Sequence, residues 1–318
     1  MSADGWTMVT DSLLDVVEQD PEPADDTSAF WKEEGRRLTV ARRGDDLLLK
    51  GFGIGMGGRR GMAWQVTHAV ERLSYWHVTT RLGSYPRLWR MAKQLARDLS
   101  VGLTFDVWKS TAILATLADH WHSQRLTPRM FAMIGDGNGF LGALIRRAVP
   151  ETRMYCIDLP KALVFQASTH RRADARASAG RLTHHERAEA AILFVLPQDV
   201  EQIAEGIDCA VNIASMQEMT RRSIARYFSW LRRRSHSQSR FYCVNREEKL
   251  QPDGEVARFA EYPWRPEDQL FLDGLCPYYT HYLSRCMRPS GPTLFGWRVP
   301  LINYFDGPTR HRLVHLSP

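Results

Sequence analysis

No stretch of the 318 residues approaches the eighteen or so apolar positions that a membrane span needs. The first thirty residues also lack a basic segment followed by an apolar core, so no secretory leader is expected. Together these absences point to a cytoplasmic protein with no membrane partner. Cysteine is scarce: there are five, an odd number, with no C-x-x-C pair. A disulfide framework and a paired-cysteine metal site are both excluded by that pattern. Cys156, Cys209 and Cys243 lie in short apolar runs, where a free thiol acts as a small buried hydrophobe. Histidine does not assemble either. His120 and His122 have the wrong spacing for one helix face, and His311 and His315 fall in a predicted strand, so no metal site is expected. Finally, residues 1–28 hold no Lys or Arg against eight acids (Asp4, Asp11, Asp15, Glu18, Asp20, Glu22, Asp25 and Asp26).

What is present is the composition of a globular protein, 44% hydrophobic and 25% charged, long enough for one large α/β domain or two modest ones. The net charge is +6, but the basic residues are scattered over predicted helices, as at Arg171, Arg172 and Arg176. That reads as solvated helix faces. No RNA-binding module is recognisable, and nucleic acid is not the expected partner.

The acidic opening, residues 1–29, reads as flexible, with a short helix around Leu13, Leu14, Val16 and Val17 as the alternative. Residues 30–125 read as a mainly helical cap with a small β element. A hairpin is predicted around Arg43-Gly44-Asp45-Asp46, then helical spacing over 62–99 with breaks near Gly83 and Pro86, then a helix over 105–122. From 126 to 318 the pattern changes to short apolar runs alternating with helices. Strands are predicted at 130–134, 153–157, 191–196, 209–214 and 240–244, with a helix near 200–205 after the third. This rhythm means crossover connections and a mostly parallel sheet with helices on both faces. Residues 245–277 break it, and read as a long functional loop with acids at Glu247, Glu248, Asp253, Glu255, Glu261, Glu267, Asp268 and Asp273 and aromatics at Phe259, Tyr262 and Trp264. Two late strands, 279–287 and 312–316, are expected to close the sheet.

Two glycine turns compete for a nucleoside cofactor. Gly53, Gly55 and Gly58 spell G-x-G-x-x-G, but after half of a hairpin and with no second strand ending in an acid. Gly135-Asp136-Gly137-Asn138-Gly139 lies between an apolar strand and a helix, and the next strand ends at Asp158, nineteen residues past Gly139. A carboxylate there can accept hydrogen bonds from both ribose hydroxyls. The third glycine comes one residue early for a dinucleotide motif, and Phe140 takes the place of its small residue. S-adenosylmethionine (SAM), which has no pyrophosphate, fits such a turn better than NAD.

These residues resemble those of class I SAM-dependent methyltransferases. The segments 134–142, 157–160, 211–219 and 303–312 are more specifically similar to the sugar O-methyltransferase family, which has relatives acting on aminoglycoside antibiotics. The likeness covers about residues 130–318 and implies a Rossmann-like class I methyltransferase sheet beneath the cap. It implies SAM as cofactor, with S-adenosylhomocysteine (SAH) as product. Carried over, Gly135, Asp136, Gly137, Asn138 and Gly139 form the cradle, Asp158 holds the ribose and Leu159 packs on the adenine. Pro197, Gln198 and Asp199 follow the third strand at the adenine edge, and Ala214 and Ser215 lie beside the sulfonium. The family often has an acid two residues before the first glycine. This chain has Met133 there, which leaves Asp136 as a substitute anchor for the methionine end.

Methyl transfer to a hydroxyl benefits from a general base, whereas an amine needs only to lose its ammonium proton. The candidate bases are Glu218, His281 and Asp306. Candidate acceptor contacts are Gln217, Asn245, Glu247, Tyr262, Trp264 and Tyr304. The acids of 245–273 favour a cationic aminosugar, so the expected reaction is N-methylation of an aminoglycoside-type metabolite, with O-methylation of a glycoside as the alternative. The rival classes are an NAD-dependent oxidoreductase, an RNA-modifying protein, and a non-catalytic protein whose cap docks a partner enzyme.

Overall fold

The computed structural model describes residues 4–19, 28–43, 46–51, 62–182, 190–283, 291–294, 296–299 and 301–318. The chain begins with a helix, α1 (Asp4–Gln19), whose Trp6, Val9, Leu13 and Leu14 are buried while Asp15 and Glu18 face solvent. The expected flexible opening is thus corrected over residues 4–19: a helical stripe of apolar side chains outweighs the acidity of the other face. Helix α2 (Ala29–Arg37) is capped by Ser28, whose Oγ accepts from the Trp31 N–H at 3.4 Å. Strands β1 (Thr39–Arg43) and β2 (Asp46–Lys50) form the expected hairpin. The competing G-x-G-x-x-G at Gly53, Gly55 and Gly58 lies outside the described residues.

The helical region of the cap is divided into α3 (Met62–Ser74), the single turn α4 (Trp76–Thr79), α5 (Tyr85–Asp98) and α6 (Phe105–Ser123). Pro86 sits in the first turn of α5, where its missing N–H is not needed. Thr104 caps α6, accepting from the Val107 N–H at 3.3 Å. Leu88, Leu95, Trp108, Leu114 and Leu117 of these helices share one core with Phe131 and Met133 of the sheet.

The alternation of strands and helices follows, with one strand, β5, added to those predicted: β3 (Met130–Ile134), α7 (Phe140–Ala148), β4 (Arg153–Ile157), α8 (Pro160–Ala173), β5 (Ala179–Arg181), β6 (Ile192–Val195), β7 (Cys209–Ile213), α9 (Arg221–Arg234) and β8 (Arg240–Arg246). Next come a small hairpin of β9 (Glu248–Leu250) and β10 (Val256–Arg258), then β11 (Gln269–Leu275), the paired pieces β12 (His281–Leu283) and β15 (Ile302–Tyr304), β13 (Thr293–Leu294) with β14 (Trp297–Arg298), and β16 (Thr309–His315). Eight strands make the central sheet in the order β11-β16-β8-β7-β3-β4-β6-β5, all parallel except β16, which is antiparallel to both neighbours. Its two faces carry separate apolar clusters, Phe131 and Met133 of β3 on one side and Ala132 and Ile134 on the other. This is a Rossmann-like class I methyltransferase sheet with a helical N-terminal region.

Several expectations need correction. The sheet is closed by β11 and β16, whereas the described part of the expected strand 279–287, residues 279–283, contributes β12, which pairs with β15 outside the sheet. Residues 245–277 are therefore not one loop. β11 was hidden because its apolar run is only Leu270-Phe271-Leu272, cut off by Asp273-Gly274, as suits an edge strand whose Leu270 and Leu275 are exposed. β5 was not anticipated, and the helix expected over 200–205 is a 3₁₀ turn, Pro197–Gln202. No helix of the described residues is long and apolar enough to cross a membrane.

The segment before β11 is fastened by a buried pair. Arg232 Nη1 and Nη2 lie 2.6 and 2.9 Å from the two oxygens of Asp268, and the same guanidinium donates to the Ser317 and Pro263 carbonyls. Burial pushes the Asp268 carboxyl up, but Arg232 and the N–H groups of Arg265 and Ser317 outweigh it and hold it below its ordinary value. Arg232→Met leaves that carboxylate buried without its cation, and chemical denaturation is expected to show a loss of about 3–5 kcal/mol.

Candidate cofactor and acceptor site

The order of the strands reverses between β3 and β7, because the chain runs outward through β4 and β6 before crossing back. Ligands of open α/β sheets bind outside the carboxyl ends of the strands at such a point. A cavity of about 1280 Å³ opens there. It exceeds the roughly 300–1,000 Å³ of a typical small-molecule pocket, which leaves room for a cofactor and an acceptor together.

Its floor is the glycine turn. Gly135, Gly137 and Gly139 have φ of +72°, +60° and +80°, in the left-handed region that side chains disfavour. Close packing forbids a side chain as well: a Cβ on Gly135 would lie 2.1 Å from Ser215 Oγ, and one on Gly139 would lie 3.0 Å from Gln166 Cα. Asp136 Oδ2 accepts from the Gly142 N–H at 2.8 Å and so caps α7, and burial raises its carboxyl to about 7. Asp158 ends β4 and accepts from the N–H groups of Leu159 (2.8 Å) and Gly137 (3.2 Å) and from Gln166 Nε2 (2.7 Å). Burial raises it too, to about 7.

The opposite wall follows β7. Asn212 Nδ2 donates to the Ile134 carbonyl (2.9 Å), as does Ser215 Oγ (3.1 Å), and Ala214 is held at φ +57°. Asn245 Nδ2 donates to Asn212 Oδ1 at 2.8 Å, and Asn245 Oδ1 accepts from the Gln217 N–H at 3.0 Å. Gln217 in turn accepts from the Arg246 N–H at 2.7 Å. This buried network fixes the loop that carries Glu218 into the cavity. Burial raises the Glu218 carboxyl to about 7, against the pull of Lys249.

The structure brings most, but not all, of the sequence candidates together. Gly135, Asp136, Gly137, Asn138, Asp158, Leu159, Pro197, Gln198, Ala214 and Ser215 line the cavity, with Glu218. Gly139 stands behind the turn, and Asp199 is buried and accepts from Gln202 Nε2 at 2.7 Å. Neither other base candidate lines the cavity. His281 is stacked on Tyr75 at 4.3 Å with its Nε2 2.6 Å from Ser74 Oγ, and Asp306 is exposed near Arg246.

The six acceptor candidates also fall outside the lining. Gln217 and Asn245 brace the β7 loop, and Glu247 pairs with Arg310 at 3.2 Å. Tyr262 and Trp264 pack around Phe228, Trp264 at 4.8 Å, and Tyr304 is exposed on β15. Six of the eight acids in 245–273 pair with arginines: Glu247, Glu248, Glu255, Glu261, Asp268 and Asp273. The acidity that favoured a cationic acceptor is thereby largely neutralised, and it lies away from the cavity. Residues that sequence reasoning missed complete the walls: Phe30, Trp31 and Glu34 of α2, Asp106, Lys109 and Ser110 of α6, and Tyr279. For α6 the signal was available, as the polar residues Asp106, Lys109 and Ser110 at i, i+3 and i+4 in its first turns.

A nucleoside with an amino-acid tail fits this donor set: a carboxylate at the end of the second strand, apolar Leu159 and Pro197 flanking it, and a glycine turn with free approach to its backbone. The fold and cleft are consistent with SAM and SAH as occupants. No family model matches the chain, and no curated protein matches it. Among solved structures, it is similar to precorrin-6y C5,15-methyltransferase from Geobacter metallireducens GS-15 (10% identity, 62% of this chain and 87% of that one, TM-score 0.34). It is also similar to an S-adenosylmethionine-dependent methyltransferase from Clostridium acetobutylicum ATCC 824 (11%, 64% and 89%, TM-score 0.37) and to the N-methyltransferase NodS from Bradyrhizobium japonicum WM9 (12%, 67% and 97%, TM-score 0.37). The class stands on the chain's own strand order and cleft.

Asn245→Ala removes the donor to Asn212 and the acceptor for Gln217. Asn212 Oδ1 keeps the Met216 N–H at 3.3 Å, so the Gln217 N–H is the group left without its acceptor, and about 1–3 kcal/mol of stability should be lost, read as a lowered denaturation midpoint at unchanged slope.

Proposed function

We propose that the chain is a SAM-dependent methyltransferase that methylates a hydroxyl of a small glycosylated acceptor, with Glu218 as general base. The observation that carries this reading is Glu218 itself: of the three base candidates it alone lines the cavity, and its carboxyl is raised to about 7, suited to taking a proton near neutral pH. When bound, SAM supplies an electrophilic methyl group on a sulfonium, which leaves the protein the tasks of alignment and of freeing the nucleophile's lone pair. Asp158 would accept from the ribose hydroxyls while Leu159 and Pro197 flank the base. Ala214 and Ser215 would border the reacting centre. The acceptor oxygen would gain the methyl group as its proton passes to the Glu218 carboxylate.

The sugar in this reading comes from the family resemblance. The same resemblance offers an aminosugar nitrogen of an aminoglycoside-type metabolite. Its support was the acidic segment 245–273, whose acids are largely paired with arginines and none of which lines the cavity, so the hydroxyl takes precedence.

Incubation with SAM and a panel of neutral glycosides and aminoglycosides, read by product mass and fragmentation, should place the methyl group on oxygen. A methyl on nitrogen would overturn the acceptor assignment. Below about pH 7 Glu218 is protonated and cannot act as base, so the rate should rise with pH through about 7 and then level. Glu218→Gln should lower the rate about 10²–10⁴-fold and abolish that rise; an unchanged profile would remove Glu218 from the chemistry.

A further inference from the structure

The amino-acid end of SAM carries a carboxylate and an ammonium, and a cleft that holds it needs complementary charges. The acids nearest the glycine turn have other tasks: Asp136 caps α7, and Asp158 is the residue assigned to the ribose. Asp136 accepts from the Gly142 N–H, and Asp158 accepts from Leu159, Gly137 and Gln166. Lys161, also in the lining, donates to the Gly35 and Leu38 carbonyls.

The first turns of α6 present a different arrangement. Asp106, Lys109 and Ser110 stand at i, i+3 and i+4, so they share one helix face, and all three line the same cavity as Gly135–Asn138 and Phe140. Lys109 Nζ is 2.9 Å from Asp106 Oδ1, with side-chain exposures of 15% and 24%. The ammonium also lies 4.7 Å from the centre of the Tyr279 ring and 5.6 Å from that of Phe105. An ammonium has three N–H bonds and a carboxylate two oxygens, so the single contact between them leaves capacity on both. Burial works against the charge on Lys109, but Asp106 and Tyr279 outweigh it and hold the ammonium protonated. A largely buried ion pair stabilises a fold no more than apolar residues of similar volume would. Its place here, on the face of α6 turned to the cleft, is explained by a zwitterionic ligand.

Resting on the SAM reading above, we infer that Lys109 and Asp106 hold the amino-acid end of the cofactor, Lys109 the α-carboxylate and Asp106 the α-ammonium. The cap thereby contributes half of the cofactor site, and the absence of an acid at Met133 is compensated from α6.

The test compares two probes by isothermal titration on the full chain: SAH, and 5′-methylthioadenosine, which keeps the nucleoside and sulfur but lacks the amino-acid end. Lys109→Met and Asp106→Asn should each weaken SAH roughly tenfold to a hundredfold, the range expected for a charged hydrogen bond. Binding of 5′-methylthioadenosine should stay within twofold of wild type, which also shows that the variants are folded. Wild-type affinity for SAH in both variants, or equal loss of both probes, overturns the inference and leaves the cofactor reading standing. Failure of the unaltered chain to bind either probe overturns the cofactor reading, and this inference with it.

Discussion

At the point where the sheet reverses its order, the carbonyl of Ile134 receives hydrogen bonds from two side chains of the neighbouring strand and its loop, Asn212 and Ser215. These bonds draw the carboxyl ends of β3 and β7 together, close enough that Gly135 has no room for a Cβ beside Ser215. The consequences spread from there. The turn must be built of left-handed glycines, its backbone is left accessible to a ligand, and the β7 loop is fixed so that Glu218 enters the cavity. Asn245 extends the same network to β8, so three adjacent strands share one set of buried hydrogen bonds. Buried polar networks of this kind specify a single arrangement when every member is satisfied.

The cleft that results is assembled from two sources. The sheet supplies the glycine turn, Asp158 and the β7 loop. The N-terminal region supplies α2 and the first turns of α6, tied to the sheet domain through Ser28, which donates to the Glu218 carbonyl, and through Lys161. The cap and sheet share one apolar core, and the cap's charged residues face the same cavity as the turn. Its role is thus that of a wall of the site.

The sequence made much of this legible, for physical reasons. The parallel strands β3, β4, β6, β7 and β8 are buried on both faces and so appear as continuous apolar runs, and the glycine turn is punctuated by residues that few other structures require. The cofactor candidates 135–138, 158–159, 197–198 and 214–215 all reached the lining because they follow strand ends, a position set by topology alone. The edge strand β11 was not legible, since its apolar run stops after Leu270-Phe271-Leu272 and Asp273-Gly274 follow. The acceptor candidates were misplaced for a related reason. Acids and aromatics in 245–277 looked like a substrate loop, but Trp264 and Tyr262 fill the core against Phe228, and Glu247, Glu255, Glu261, Asp268 and Asp273 answer arginines on α9 and β16 that are distant in sequence. Partners of that kind cannot be seen in a linear pattern.

We propose that the cleft holds an S-adenosyl nucleoside with its ribose on Asp158. Titration of SAH into the full chain and into Asp158→Ala distinguishes the outcomes. Saturable one-to-one binding to the natural chain is expected, weakened by roughly tenfold to a hundredfold in the variant as the hydrogen bonds to a carboxylate are lost. Equal affinity in the two proteins, or no binding to either, would overturn the assignment.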